Sequence, residues 1–170
     1  MKKLIALLLM ILPFAGVVSA QEAKIAFVNT QEVFMAMPEV ADMQKKLDEL
    51  NAKYKKELET MQSEFQKKYS DFVAQQDSLT ENIKVRRMQD IQDMQQRMDN
   101  FVQVAQQDVN KQQQDLVTPI QQKISDAIKA VGAAEGVIYI FDMARTPIPY
   151  VNEAQSINLT PKVKTQLGIK

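Results

Sequence analysis

The chain has 170 residues, 21 basic against 21 acidic side chains, ten methionines, and neither cysteine nor histidine. Without cysteine there is no disulfide and no thiol chemistry, and without histidine the commonest general base and metal ligand is missing. A balanced charge also argues against the basic surface that nucleic-acid binding needs.

The first twenty residues read as a cleavable export signal. Lys2 and Lys3 form the charged region, 4–12 the apolar run, and Val18-Ser19-Ala20 the small-residue cleavage site. Pro13 and Gly16 interrupt the run, which is too short to cross a bilayer. No cysteine follows that could carry a lipid anchor. A mature chain from Gln21 loses Lys2 and Lys3, leaving 19 basic and 21 acidic residues, a net −2.

Residues 24–28, Lys-Ile-Ala-Phe-Val, predict a short strand apolar on both faces. Asn29 or Thr30 is placed to cap a short helix over 31–36. Pro38 suits the first position of the next helix, expected to run to about residue 75. Along it apolar residues recur as Met43, Leu47, Leu50, then Tyr54, Leu58, Met61, then Phe65, Tyr69, Phe72. The 4-3-4 spacing is an eleven-residue cycle, about 3.67 residues per turn, which gives a straight or slightly right-handed stripe.

A polar turn is expected over 76–79, with Ser78 and Glu81 spaced as a capping box. The returning helix, expected to end near Val131, repeats the cycle as Met94/Met98, Ala105/Val109, Leu116/Ile120 and Ala127/Val131. Pro119 lies inside it and predicts a kink, but the stripe keeps phase across it, which favours one continuous helix. Two matched stripes joined by a short turn describe a long antiparallel hairpin. Met37, Val73, Val85, Met88 and Phe101 fall off or beside the stripe. Exposed flexible apolar groups of this kind suit loose binding of unfolded chains, although scattered surface hydrophobes are also ordinary. Lys67, Lys68, Lys84, Arg86 and Arg87 near the turn are nearly cancelled by Asp71, Asp77, Glu81 and Asp90, which reads as solvated helix charge.

The last part changes character. Gly136 opens Val137-Ile138-Tyr139-Ile140-Phe141, a β-rich run, and a segment with Pro147 and Pro149 leads to a second expected strand, Tyr150-Val151. Thr160-Pro161 starts a final short helix stopped by Gly168. The fold class is therefore α+β and mostly α. A helical arm over 38–131 leaves a small β-rich body made of 21–37 and 132–170. That body has 56 residues, few for a core of its own. Strands that look buried on both faces then call for an oligomer with a shared core. No phosphate loop, metal-ligand spacing or nucleophile motif is present, so neither an enzyme nor a cofactor is expected.

Taken together, these residues resemble the Skp/OmpH family of periplasmic chaperones. The resemblance rests on Lys24-Ile25-Ala26-Phe27-Val28-Asn29, Val33-Phe34 and Pro38, then Leu116, Pro119-Ile120, Lys123-Ile124, Ala127-Ile128 and Val131, and finally Gly136-Val137 and Asp142. It implies a jellyfish-shaped homotrimer of the periplasm that holds unfolded outer-membrane proteins between its arms without ATP. It also implies a trimer core containing Ile25, Phe27, Val137, Ile138, Tyr139, Ile140 and Phe141. Membrane contact would be transient at most. The net negative charge departs from the basic character typical of the family, so no lipid-binding residues carry over. The alternative is a periplasmic coiled-coil spacer or adaptor, which also uses helical hairpins but ordinarily adds further β-domains and a membrane anchor. Pro38 and Pro119 lie at nearly the same distance from the turn and form a candidate hinge.

Overall fold

The computed structural model describes residues 24–169, so the expected export signal lies outside the described residues. Strand β1, Ile25–Val28, is followed by helix α1, Thr30–Ala36. Asn29 is the N-cap of α1: its Oδ1 accepts from the Glu32 N–H at 3.0 Å. Met37 then takes an extended conformation, ends α1, and lets Pro38 open helix α2, Pro38–Gln75. A single 3-10 turn, Gln76–Ser78, reverses the chain into helix α3, Glu81–Glu135. At 1.5 Å per residue, α2 is about 57 Å long and α3 about 83 Å.

The expected capping box does not form. Ser78 is drawn into the 3-10 turn, where its Oγ donates to the Gln75 carbonyl at 2.8 Å. Thr80 becomes the N-cap of α3, without a side-chain cap bond. Pro119 is accommodated inside a continuous α3, as the unbroken stripe requires. The helix runs on to Glu135 and stops at Gly136, whose φ of +63° only glycine adopts cheaply. The Val137 N–H returns to the Gly132 carbonyl at 3.3 Å and the Gly136 N–H to that of Ala133 at 3.3 Å, closing the helix end.

Strand β2, Tyr139–Asp142, and strand β3, Ser156–Asn158, both pair with β1 in parallel, in the order β2-β1-β3. Tyr150-Val151 is not a strand. Pro147 and Pro149 lack ladder donors immediately before it, and the chain becomes a strand only after a turn in which Asn152 accepts from the Ala154, Gln155 and Ser156 N–H groups. Helix α4, Thr160–Gln166, completes the body.

Side-chain alternation splits the sheet into two faces. Ala26 and Val28 are fully buried against Val33, Leu159, Val163 and the end of α3, Ile124, Ala127 and Val131. Ile140 and Ile157 sit beside Ala26 in register and pack on the same core. Gly132 allows this approach, since a Cβ there would lie 2.6 Å from Ile140 Cδ1. Two residues expected in a core shared between subunits, Val137 and Ile140, pack on the intrachain core: the two-residue period of β2 turns Ile140 inward, and Val137, just before β2, is held against the end of α3 by its N–H bond to the Gly132 carbonyl. The body is small but holds a dry centre of its own.

Candidate functional site

The opposite sheet face is open. Ile25 and Tyr139, then Phe27 and Phe141, lie side by side across β1 and β2. Ile25, Tyr139 and Phe141 are 43%, 64% and 42% exposed, and Phe27 is half-buried. The Tyr139 and Phe141 rings tilt against each other with centroids 6.5 Å apart. Ile138, just before β2, is exposed as well. Together they form a contiguous aromatic and aliphatic surface, a candidate interaction face.

The arm is the second open surface. Met43, Leu47, Met94 and Ile120 are buried between α2 and α3. Leu50, Tyr54, Leu58, Met61, Phe65, Met98, Val109 and Leu116 are half-buried, as expected where only two helices meet. Off this seam Val73, Val85 and Met88 are exposed, together with Tyr69, Ile83, Val102 and Val104. Tyr69 belongs to the stripe by spacing, but the seam thins towards the tip. There it stacks on Phe65, at 6.2 Å between centroids, with its other side in water.

Met37 is a correction. Expected as an exposed apolar contact, it is only 4% exposed and sits in the core cluster beside Met43. Its extended backbone between α1 and α2 turns the side chain inward, where an off-stripe position in a continuous helix would have faced water. Phe101 is half-buried rather than free. It meets Tyr54 edge-on, with centroids 5.8 Å apart and rings at 72°, and takes the third place of the eleven-residue cycle.

Three polar bonds pin the hairpin at different heights. At the base, Lys123 Nζ lies 2.7 Å from Glu39 Oε1. The bond to Lys123, and then the Glu39 backbone N–H, hold this carboxyl below its usual range. At mid-arm, Tyr54 Oη donates to Asp108 Oδ2 at 2.7 Å, which raises the phenol's pKa because the carboxylate favours the protonated donor. At the tip, Arg87 Nη1 donates to Gln75 Oε1 at 2.9 Å. Pairing by apolar period alone does not reveal these bonds, since each needs the register of one helix on the other. In the body, Asp142 closes the end of β2 by accepting from the Thr30 N–H at 3.2 Å and from Thr30 Oγ1 at 2.6 Å. Beside it a groove of about 590 Å3 runs between α1, α3 and β2, with Phe34, Ile124 and Ile128 on its floor. Among the described residues no group of histidine, cysteine, aspartate or glutamate is placed to hold a metal.

The model of one family, outer membrane protein (OmpH-like), matches residues 24–167. The chain belongs to the OmpH-like outer membrane protein family. The match begins one residue before β1 and ends one residue past α4, so it covers the open sheet face and the arm together. Among curated relatives of this OmpH-like chain, the chaperone protein Skp of Yersinia enterocolitica is 26% identical over 142 residues, covering 84% of this chain and 87% of that protein. Among solved structures, an OmpH-like outer membrane chaperone from Caulobacter crescentus CB15 superposes with a TM-score of 0.74, covering 92% of this chain and 90% of that one. At 15% identity this second likeness establishes the fold alone.

Proposed function

We propose that this OmpH-like chain is an ATP-independent periplasmic holdase, and not an enzyme. In this reading it is a homotrimer that keeps unfolded outer-membrane β-barrel proteins from aggregating in the space between its arms. The observation that carries the reading is the arm. Its seam is satisfied by its own two helices, yet seven large apolar side chains between Tyr69 and Val104 stay in water along it. Tyr69, Val73, Ile83, Val85 and Met88 flank the tip turn, and Val102 and Val104 lie further up α3. Single exposed side chains of this kind give weak, exchangeable contacts in place of one tight site. Such contacts cover client β-segments that would otherwise pair with one another. Release needs no fuel when folding into the membrane is more favourable than staying bound. The relative named as a chaperone supports the same reading across most of both chains.

The trimer is supported by the open face of Ile25, Phe27, Tyr139 and Phe141, which a lone chain leaves wet. No helix among the described residues is long and apolar enough to cross a membrane, which fits transient membrane contact only. The test is direct: purified protein at low micromolar concentration should keep an urea-unfolded outer-membrane barrel soluble after dilution, with no nucleotide present. Aggregation at the rate of the client alone would reject the holdase and leave the spacer reading.

A further inference from the structure

The open sheet face is too small to hold subunits together by itself. Three strands of three or four residues, at about 3.3 Å per residue and about 4.8 Å apart, present roughly 200 Å2. A stable interface needs about 800 Å2 from each partner. A closed three-fold ring is also heterologous: each subunit meets its neighbour through two different patches. A second patch must therefore exist on the body.

We infer that the loop between β2 and β3 is that patch, and that Tyr150 is the anchor it places on the open sheet face of a second copy of this chain. The inference rests on the oligomer proposed above. Tyr150 is 77% exposed, more than any other large hydrophobic among the described residues. It does not hang on a loose tail. Upstream, the Arg145 and Thr146 N–H groups bond the Asp142 carbonyl at 3.3 and 3.0 Å. Downstream, the Gln155 and Ser156 N–H groups bond the Asn152 carbonyl at 3.1 and 3.0 Å. Between these two turns Pro147 and Pro149 fix their own φ angles, which narrows the paths the chain can take towards Tyr150. An exposed aromatic with a polar tip is a residue type that is enriched among the residues that dominate interface energies.

Charge points to the same partner. Glu153, three residues beyond Tyr150, makes no ion pair among the described residues. Nor does Lys24, which stands at the head of β1 beside the open face. Seating Tyr150 against Phe27 and Phe141 of the next copy would bring one charge towards the other.

The test places the photo-reactive residue p-benzoylphenylalanine at position 150 of the full chain. Irradiation should link one chain to another, with the linked peptide containing residues 25–28 or 139–142. In parallel, Tyr150→Ala should lower the oligomer fraction at least tenfold at micromolar concentration by sedimentation, with unchanged helix content, while Tyr150→Phe retains the oligomer. An oligomer that survives Tyr150→Ala, or cross-links that fall on the helical arm or on added client alone, would overturn this inference and leave the trimer standing. A monomeric wild type would overturn both.

Discussion

Gly132 shows how one missing side chain decides the join between arm and body. A Cβ there would meet Ile140 Cδ1 at 2.6 Å, but that atom is the far end of a side chain that can rotate. Gly132 lies in the last turn of α3, where alanine recovers part of the roughly 1 kcal/mol by which it exceeds glycine in helix propensity, and this offsets the crowding. Gly132→Ala should therefore leave the melting temperature nearly unchanged, whereas Gly132→Val should cost about 1–3 kcal/mol through overpacking. Equal losses in both variants by thermal denaturation would show that Ile140 cannot yield. Glu39 offers a second test at this scale. Its carboxyl is held below the usual range, so its contribution to stability is present above the unfolded carboxylate pKa and lost as pH falls through the lower folded value. Glu39→Gln should therefore melt slightly lower than wild type near neutral pH, read by circular dichroism, and the difference should vanish once the pH falls below the folded carboxyl value. A variant curve identical to wild type near neutral pH would mean that the exposed Lys123 pair contributes nothing measurable.

The arm is held by an apolar period and fixed in register by polar bonds. Tyr54 illustrates the division: its ring fills the seam against Phe101, and its hydroxyl selects Asp108. Because Asp108 raises the phenol's pKa, this bond is intact below the ordinary tyrosine value and lost as pH rises through the elevated one. Tyr54→Phe should keep the ring packing and remove only the alkaline sensitivity, read as the change in melting temperature between neutral pH and pH well above the tyrosine range. Pro119 is the other feature of this scale. It leaves the Asp115 carbonyl without its helical partner, and Pro38 starts α2 at nearly the same height, where Glu39 and Lys123 bridge the helices at 2.7 Å. We propose a hinge at this level, roughly 60 Å from the tip. Pro119→Ala should narrow the spread of arm positions in small-angle scattering and weaken binding of large clients more than small ones. An unchanged spread together with an unchanged client range would make Pro119 a fixed bend.

At the scale of the whole molecule, the two sheet faces make opposite predictions for one chemical change. Ile140→Asp puts a carboxylate into the intrachain core beside Ala26 and should abolish folding. Phe27→Asp puts it on the open face and should leave a folded monomer with full helix content that no longer assembles. Circular dichroism and light scattering on both variants separate the outcomes; identical behaviour would mean that the faces are not distinct in solution. The described arm and body carry little net charge, so client binding should change only weakly between low and moderate salt. A hundredfold loss over that range would restore an electrostatic mechanism.

The sequence by itself determined the helices of the arm, its turn and the strands β1 and β2. Each depends on local information: an eleven-residue apolar cycle, Pro38 as a helix start, Gly136 as the opening of a β-rich run; the end of α3, expected near Val131, lies four residues further on at Glu135. The cap of α1 at Asn29 was legible for the same reason, while Ser78 was misleading because a 3-10 turn competes for the same hydroxyl. Only the tertiary structure decided which side of each strand is wet. A run such as Val137 to Phe141 is apolar at every position, so no alternation marks its faces until β1 and α3 are packed against it. The same holds for β3, whose three residues carry no strand signal of their own and pair only because the Asn152 turn delivers them to the free edge of β1. Met37 is buried because the chain turns there, and Tyr150 is exposed because two prolines carry it past the sheet. Long-range geometry of this kind is not written in the neighbours of either residue.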